Sequence, residues 1–262
     1  MGLTDIGANL ASNQFKGDRS AVIERARAAG VERIIITGSD VEGSGMASEL
    51  AQEDAQMWST AGVHPHNATG LDGAGLGTIA NLLSRPEVVA VGECGLDYNR
   101  NYSPREDQLA AFSAQIQLAA GSGLPLFLHE RDAHDDFIAV LKNAWSKLPG
   151  GAVVHCFTSG PREAEAYLEL GCHLGITGWV CDERRGDALR EAVPSIPSER
   201  LMLETDAPYL LPRTIQPKPN TRRNEPMHLP WVVREVASLR GEEPEEVVKN
   251  STETAARFFR LR

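Results

Sequence analysis

The chain has 262 residues, of which 42% are hydrophobic and 24% are charged, and this composition excludes a disordered or fibrous protein. Its 26 basic and 36 acidic side chains give a formal charge of −10, which argues against tight, sequence-independent binding along duplex DNA. No apolar run reaches the roughly 18 residues of a membrane helix, and the first residues carry no signal-peptide pattern. We therefore expect a cytoplasmic protein with reduced cysteines and no membrane partner.

Short apolar segments, several of them rich in β-branched residues, alternate with longer amphipathic segments from one end of the chain to the other. Apolar runs of this length are typical of parallel strands that are buried on both faces. The eight predicted strands are 4–8, 33–37, 58–62, 88–93, 125–129, 152–156, 173–177 and 201–204.

The amphipathic segments between and after these strands predict helices. They are 20–29, 44–56, 104–120, 133–145, 161–170, 187–193, 225–239 and 244–259. The run Ser103-Pro104-Arg105-Glu106 has the pattern of a capping box, and Gly121 and Gly171 predict helix ends. The proline-rich segment 208–219 predicts a long loop after the eighth strand.

Eight β/α alternations in about 260 residues, without a long linker, predict a closed barrel of parallel strands. We therefore expect an α/β protein with the TIM (β/α)8 barrel fold and a single domain over residues 1–262. The alternative is an open doubly wound sheet, but the chain contains no glycine-rich loop of the kind that binds dinucleotides in such sheets.

Side chains that can bind a metal stand at, or just after, the predicted C-terminal ends of five strands, where β/α barrels build their active sites. These residues are His64, His66, Glu93, His129, His155, Glu204 and Asp206. A single histidine at a strand end has an ordinary structural explanation, whereas a shared register at one end of a barrel is hard to explain by packing. We therefore interpret the set as one site.

The mixture of imidazoles and carboxylates is typical of a divalent metal that catalyses hydrolysis. Imidazoles supply neutral nitrogen donors, and carboxylates offset the charge of the metal. Such a metal lowers the pKa of a bound water and polarises the bond under attack. Asp206 is the best candidate to orient that water or to accept its proton.

Six short segments resemble, in order, the TatD family of metal-dependent deoxyribonucleases. They are GVHPH at 62–66, VGECGLDY at 91–98, LH at 128–129, VHCFT at 154–158, LETDAPY at 203–209 and RRNEP at 222–226. The resemblance runs in register from Asp5 to about Phe259, and GITGWVCDERR at 175–185 is similar to the bacterial branch that gave the family its name. Six motifs in order are far more specific than any one of them.

The resemblance implies an amidohydrolase-like TIM barrel and a metal-dependent nuclease that hydrolyses the phosphodiester bonds of DNA. It implies Mg²⁺ as the cofactor, with Mn²⁺ and Zn²⁺ as alternatives and with one or two bound ions. The implied activity is that of a 3′-5′ exonuclease on single-stranded DNA or DNA 3′ ends, with RNA as an alternative substrate.

Residue roles follow from the resemblance by matching position. The implied metal ligands are Glu93, His129, His155 and Asp206. Asp206 is also the implied catalytic carboxylate, Glu204 is a group that orients it or its neighbours, and His64 is a polar group beside the substrate or the metal.

The first strand departs from the wider family, much of which begins with a His-x-His pair that contributes a second metal site. The matching positions here are Gly7 and Asn9. Glycine offers no ligand, and the amide oxygen of asparagine is a weaker donor than imidazole for borderline metals. The alternatives are therefore one resident ion, or a second ion that arrives with the phosphate.

Substrate-binding features are fewer. We predict that His66, Arg222 and Arg223 contact the substrate, because arginines near the loop after the eighth strand can grip phosphate in a bidentate manner. A solvated charged face explains such a cluster equally well. Aromatic residues after strand ends, among them Tyr102 and Tyr209, could stack on unpaired bases, although loop packing is the more usual role. We expect the protein to bind the end of a nucleic-acid strand weakly and in a salt-sensitive manner, and we expect it to be a monomer.

Two other functions fit parts of the pattern. An amidohydrolase that opens an amide or ester of a small metabolite would use the same metal chemistry. A degenerate barrel that binds DNA or a protein without turnover is suggested by Gly7 and Asn9.

Overall fold

The computed structural model describes residues 2–261 and contains eight parallel strands, each paired with its neighbours in the sequence. They are β1 (Leu3–Ala8), β2 (Val31–Ile36), β3 (Met57–Ala61), β4 (Val88–Asp97), β5 (Leu126–Arg131), β6 (Ala152–Val154), β7 (His173–Ile176) and β8 (Leu201–Leu203). The barrel closes where Ala8 pairs with Ala207 and the amide of Asp206 donates to the carbonyl oxygen of Gly7 at 2.8 Å. The predicted TIM barrel is confirmed, and the open sheet is excluded.

Helices lie between the strands and after the last one. Within residues 2–261 they are α1 (Arg19–Ala28), α2 (Val41–Ala51), α3 (Gly73–Leu82), α4 (Arg105–Ser122), α5 (His134–Ala144), α6 (Pro161–Leu170), α7 (Asp187–Ala192), α8 (Leu229–Arg240) and α9 (Pro244–Phe259). No helix in this part of the chain is both long and apolar enough to cross a membrane. Segment 208–219 is a loop, as predicted.

Helix α3 was not predicted, because its sequence GAGLGTIANL contains three glycines, and glycine is a poor helix former. Two features offset that cost. The Asp72 side chain accepts a hydrogen bond from the amide of Gly75 at 2.8 Å and so caps the helix, and Ile79 and Leu82 bury an apolar face.

The predicted limits of α4 were wrong at both ends. The helix begins at Arg105, and the Ser103 hydroxyl does not cap it but donates to the carbonyl oxygen of His66 at 3.0 Å. At the other end the helix passes through Gly121 and stops at Gly123, whose positive φ of 72° closes the last turn. Ser103 therefore stabilises the loop after β3 rather than the helix.

Strand β5 shows how the barrel separates its core from its site. Side chains alternate along a strand, so Phe127 and His129 face the barrel interior while Leu126 and Leu128 face the helices. Phe127 is fully buried in a small interior cluster that also contains Ile6, Val153 and Met202. This apolar layer lies directly beneath the imidazoles and carboxylates at the C-terminal end of the barrel.

Two buried glutamines of α4 hold the backbone next to the polar end of the barrel. Gln115 accepts a hydrogen bond from the amide of Val63 at 2.7 Å and donates to the carbonyl oxygen of the same residue at 3.0 Å. Gln108 makes the same pair of bonds with the backbone of Asp97, at 2.8 and 3.1 Å. Both side chains are fully buried, so these four backbone groups have no access to water.

We expect Gln115→Met to lower the free energy of unfolding by roughly 1–3 kcal/mol, because methionine fills the space but leaves two buried polar groups of Val63 unpaired. Urea unfolding followed by circular dichroism measures this. The matched control is Gln117→Met, an exposed position two residues along the same helix. Equal urea midpoints for the two variants would contradict the proposed role of the two hydrogen bonds between Gln115 and the backbone of Val63.

A second set of contacts joins α1 to the chain after β8. Glu225 accepts from Arg25 Nε at 2.8 Å and from Arg223 Nη2 at 2.8 Å, and Arg223 also contacts Asp18 Oδ2 at 2.6 Å. Burial alone would raise the pKa of Glu225, but the hydrogen bonds from Arg25 and Arg223 lower the pKa below its usual value. The carboxylate therefore stabilises the fold in its charged form.

This link has a defined pH dependence. Because the pKa of Glu225 is lower in the folded protein than in the unfolded chain, its stabilising effect is complete above the unfolded pKa of about 4.3 and is lost as the pH falls through the folded value. We expect Glu225→Gln to be less stable than the parent at pH 7, and the difference to shrink towards pH 3. Unfolding by urea at pH 7, 5, 4 and 3 measures this, with the exposed Glu24→Gln as control. A stability difference between the parent and Glu225→Gln that does not change with pH would contradict a stabilising role of the charged Glu225 carboxylate.

Candidate metal centre

Three imidazoles from three segments of the barrel surround one oxygen of Glu93. Oε1 of Glu93 lies 2.8 Å from His155 Nε2, 3.1 Å from His129 Nδ1 and 3.4 Å from His64 Nε2. His64 follows β3, His129 lies in β5, and His155 follows β6. The predicted convergence of these strand ends therefore occurs, with Glu93 at its centre and inside β4 rather than at the end of that strand.

One subset of these side chains has the spacing of a metal site. Among residues 2–261, one ligand atom each from His64, Glu93 and His129 lie within 4.8 Å of one another. Two nitrogens and a carboxylate oxygen form a donor set that divalent metals accept. His64 was predicted as a polar group beside the substrate or the metal, and it belongs to this subset. His155 and Asp206, both predicted as ligands, lie outside it.

Asp97 is a member of the site that the sequence analysis did not single out. Its Oδ2 lies 2.8 Å from His66 Nε2 and 3.3 Å from His129 Nε2. Strand β4 continues beyond Glu93 to Asp97, and residues four apart on a strand share a face. The spacing of Glu93 and Asp97 is present in the VGECGLDY segment. A predicted strand of 88–97 instead of 88–93 would have placed Asp97 on the same face as Glu93.

Glu204 is fully buried beneath the cluster and fixes the orientation of His155. Its Oε2 lies 3.2 Å from His155 Nδ1, and Oε1 accepts from the amide of Cys156. A carboxylate on one ring nitrogen leaves the other ring nitrogen to face the site, which is the arrangement expected of a group that orients a metal ligand.

The space that Glu204 occupies also accounts for two glycines. A Cβ atom at Gly7 would lie 2.3 Å from Glu204 Oε2, and a Cβ at Gly175 would lie 2.4 Å from Oε1. No side chain fits at either position unless the carboxylate moves. The glycine at the first position of the His-x-His pattern therefore matches the space that Glu204 takes up beside β1.

Asp206 lies beside β1, at the position where the barrel closes. Its Oδ1 accepts a hydrogen bond from Asn9 Nδ2 at 3.0 Å, so the amide of Asn9 positions this carboxylate. The residue between Glu204 and Asp206 is held by the buried Asp5, which accepts from the amide of Thr205 at 2.9 Å and from its hydroxyl. Both carboxylates thus project from a fixed backbone.

Burial and neighbouring charge set the protonation of the cluster. Burial alone would raise the pKa of Glu93, but the charge of His155 and hydrogen bonds from His129 and His155 hold it well below the usual value. Burial acts against a charged His155, yet Glu93 and Glu204 raise the pKa of that ring well above its usual value. These shifts favour a buried ion pair between Glu93 and His155, which a bound metal would replace because a ligating imidazole must be neutral.

His64 and Asp206 are shifted towards their neutral forms. Burial lowers the pKa of His64 to about 3, against a smaller opposing effect of Glu93, so this imidazole is neutral at pH 7. Burial raises the pKa of Asp206 to about 7, with the charge of His155 acting in the opposite direction. A carboxylate that titrates near neutrality can both accept and release a proton at physiological pH.

The predicted substrate-binding residues lie in different surroundings. His66 lies against the cluster through Asp97 and packs its ring edge-on against Tyr102, with the ring centres 4.7 Å apart. Arg222 is exposed. Arg223 is not brought to the cluster, because it pairs with Asp18 and Glu225.

The remaining histidines lie outside the site. His134 contacts the hydroxyl of Tyr167 at 2.8 Å, His228 contacts the side chain of Asn224 at 2.9 Å, and His173 begins β7 at the opposite end of the barrel. Tyr102 and Tyr209 are prominent on the surface, with 68% and 54% of their area exposed.

Comparison with known proteins places this chain among relatives of similar length. A 3′-5′ ssDNA/RNA exonuclease TatD of Erwinia billingiae is 55% identical over 258 residues, which are 98% of each chain. The protein of the same name from Pantoea vagans is 53% identical over 98% of this chain and 99% of its own. Among solved structures, the TatD homolog YJJV of Escherichia coli superposes with a TM-score of 0.91 at 28% identity, covering 99% of this chain and 98% of that one.

The family profile described as TatD related DNase matches residues 4–260, so that every side chain of the cluster lies within the match. Together with relatives that exceed 50% identity over almost the full length, this match extends the resemblance seen in the six motifs to the whole fold. The chain belongs to the family of TatD related DNases.

Proposed function

We propose that this protein is a divalent-metal-dependent 3′-5′ exonuclease that removes nucleotides from single-stranded DNA, with RNA as a second substrate. The observation that carries the proposal is the 55% identity, over 98% of both chains, to a protein named for that activity. The mixed imidazole and carboxylate cluster supports it independently, because its donors suit a hydrolytic metal. The small-metabolite hydrolase and the non-catalytic barrel have no comparable support.

The residues that would hold the metal are the predicted ligands Glu93, His129, His155 and Asp206. We add His64 to this set, because its Nε2 lies 3.4 Å from Glu93 Oε1. When bound there, the metal would lower the pKa of a water and polarise the phosphodiester. Mg²⁺ is the ion that we propose, although a donor set with several imidazoles is accepted more readily by Mn²⁺ and Zn²⁺. Since Gly7 offers no ligand, we propose a single resident ion.

Asp206 is the group that we propose to orient the attacking water and to accept its proton. Asn9 occupies one of its carboxylate oxygens, so the second oxygen can point at the water. The pKa of about 7, caused mainly by burial, suits proton transfer near neutral pH. Glu204 acts one step away from the reaction by fixing the ring of His155.

The substrate side of the proposal rests on fewer residues. His66, held by Asp97 beside the cluster, and the exposed Arg222 remain proposed substrate contacts. Arg223 could contact substrate only if its pairs with Asp18 and Glu225 were broken, so we give it a structural role instead. The monomer and the cytoplasmic location stay predictions.

A labelled single strand distinguishes the proposed activity from its alternatives. With a 5′-labelled oligonucleotide and Mg²⁺, we expect products that shorten stepwise from the 3′ end, and no products in EDTA. Mobility shifts without cleavage, under any of the three metals, would favour a binding protein. No cleavage and no binding would return the small-amide hydrolase to consideration.

We expect Asp206→Asn to lower kcat by about 10²–10⁴-fold, because the amide cannot accept the proton from water. Its thermal unfolding should stay close to that of the parent. Single-turnover cleavage of the same oligonucleotide measures the loss, and the exposed Asp187→Asn, at the start of α7, is the control. An Asp206 variant that cleaves at the parent rate would remove this residue from the mechanism.

Metal binding tests the ligand set without reference to activity. We expect His64→Ala and His129→Ala each to weaken Mn²⁺ binding by at least about tenfold, because each removes a nitrogen of the three-atom set. Isothermal titration with Mn²⁺, repeated with Zn²⁺ and Mg²⁺, provides the affinities. His134→Ala, whose ring contacts Tyr167 instead, should bind as the parent does. Unchanged affinity in both cluster variants would place the ion elsewhere.

A further inference from the structure

Arg131 is the last residue of β5 and stands above the cluster on the inner face of the barrel. Alternation along the strand puts Phe127, His129 and Arg131 on one face. Phe127 stacks on the ring of His155 with ring centres 4.6 Å apart, and His129 contacts Glu93, so this face is the interior one. Two residues of a strand span about 6–7 Å, which sets the backbone of Arg131 that far beyond His129 towards solvent.

The side chain of Arg131 extends across the mouth of the barrel rather than outward. Its Nη1 lies 3.4 Å from the hydroxyl of Thr158, in the loop after β6. Its guanidinium carbon lies 5.1 Å from the ring centre of Trp179, in the loop after β7. The guanidinium therefore lies over the segments that follow the next two strands, and the Trp179 ring supports its position through a cation–π contact.

The charge of Arg131 has no direct partner in the described part of the chain. No ion pair within residues 2–261 includes it. Arg185 also lies near Trp179, but it pairs with Asp182, and Arg223 pairs with Asp18 and Glu225. Arg131 is half-buried, so this cation is partly desolvated as well as unpaired.

A half-buried, unpaired guanidinium is suited to an anion that arrives from solvent. Its planar fork of N–H donors matches two oxygens of a phosphodiester, and the partial burial strengthens the interaction. At the 3′ end of a strand, the bond to be cleaved would lie at His129 and its neighbours. The terminal nucleotide has no further phosphate on its 3′ side, so the nearest other phosphodiester lies one nucleotide towards the 5′ end.

We propose that Arg131, supported by Trp179 and Thr158, binds the phosphodiester one nucleotide to the 5′ side of the bond that is cleaved. The inference rests on the proposed exonuclease function and assigns a substrate-binding role outside the predicted set. It also gives the acidic chain a local cation at the point where a strand end would enter.

The first test removes the charge. We expect Arg131→Met to raise KM for a short single strand at least about tenfold with a smaller change in kcat, because the contact holds ground state and transition state alike. The slope of log KM against log salt should fall by about 0.7, the value for one phosphate contact to a single strand. Arg131→Lys keeps the charge but loses the planar pair of N–H donors, so its KM should lie between those of the parent and Arg131→Met.

Arg234→Met is the matched control. Arg234 also lies over a tryptophan ring, 4.6 Å from the centre of Trp231, and is exposed on α8. The same substitution there removes one positive charge and one cation–π contact away from the mouth. Its KM and salt dependence should equal those of the parent.

The second test identifies the phosphate. A strand with an uncharged methylphosphonate at the proposed position should be a poorer substrate for the parent by the same factor as the Arg131→Met substitution. For Arg131→Met, this strand and the normal strand should be equally good. Independent, multiplying losses would overturn the assignment to this phosphate, and an Arg131→Met variant with the parent's KM would overturn the contact itself.

Failure of the proposed function gives a different result. If the parent does not cleave the strand with any metal, the exonuclease proposal fails. Fluorescence anisotropy of the labelled strand in EDTA then still compares the parent with Arg131→Met and Arg234→Met. Equal affinities of all three proteins would overturn the phosphate contact as well.

Discussion

Glu93 is the group on which the arrangement of the site depends. A carboxylate this deeply buried costs several kcal/mol unless it is paired and hydrogen-bonded. Here the compensation comes from imidazoles on three separate segments, all within 3.4 Å of one oxygen. The barrel already brings the ends of β3, β4, β5 and β6 together, and the contacts of Glu93 link side chains from these segments through one oxygen. A cation placed among the same atoms would meet a carboxylate that is already ionised.

The composition of the first strand follows from this arrangement. Glu204 lies under the cluster, where it contacts His155, and its carboxylate fills the volume that side chains at positions 7 and 175 would need. Gly7 is therefore linked to Glu204 by packing, while Asn9 is used to hold Asp206. Gly7 and Asn9 look like lost metal ligands when the sequence is compared with the family pattern. In the structure, Gly7 leaves room for Glu204, and Asn9 donates a hydrogen bond to Asp206.

The sequence was informative where structure depends on local pattern. All eight strands were found, because buried parallel strands are short apolar runs. Five of the six motifs located the cluster because each lies in or directly after such a run, whereas RRNEP at 222–226 lies in the loop after β8 and away from the cluster. Helix α3 was missed because glycine content outweighed its Asp72 cap and its apolar face. Asp97 was missed because β4 was ended four residues early.

Other features depend on partners that are distant in the chain. Arg223 is predicted from the sequence as a substrate contact, and its pair with Asp18 cannot be seen there because the two residues are 205 positions apart. Only the closed barrel brings α1 next to the segment after β8. Ser103 has the pattern of a cap, yet its hydroxyl instead donates to the carbonyl oxygen of His66 and accepts from the amide of Thr69, both in the loop after β3. Propensity describes what a residue can do, and tertiary contact selects among these options.

Through its two buried glutamines, α4 acts as a spacer between two backbone segments of the barrel. Gln108 and Gln115 are seven residues apart, close to two full turns, so both amides point from one side of the helix and lie about 10 Å apart along its axis. The helix thus sets the separation between the end of β4 and the loop that carries His64. One residue inserted between the glutamines would turn the second amide by about 100° away from its target. The stretch of α4 between Gln108 and Gln115 must therefore keep its length, and only the turns outside it can be lengthened or shortened without breaking these hydrogen bonds.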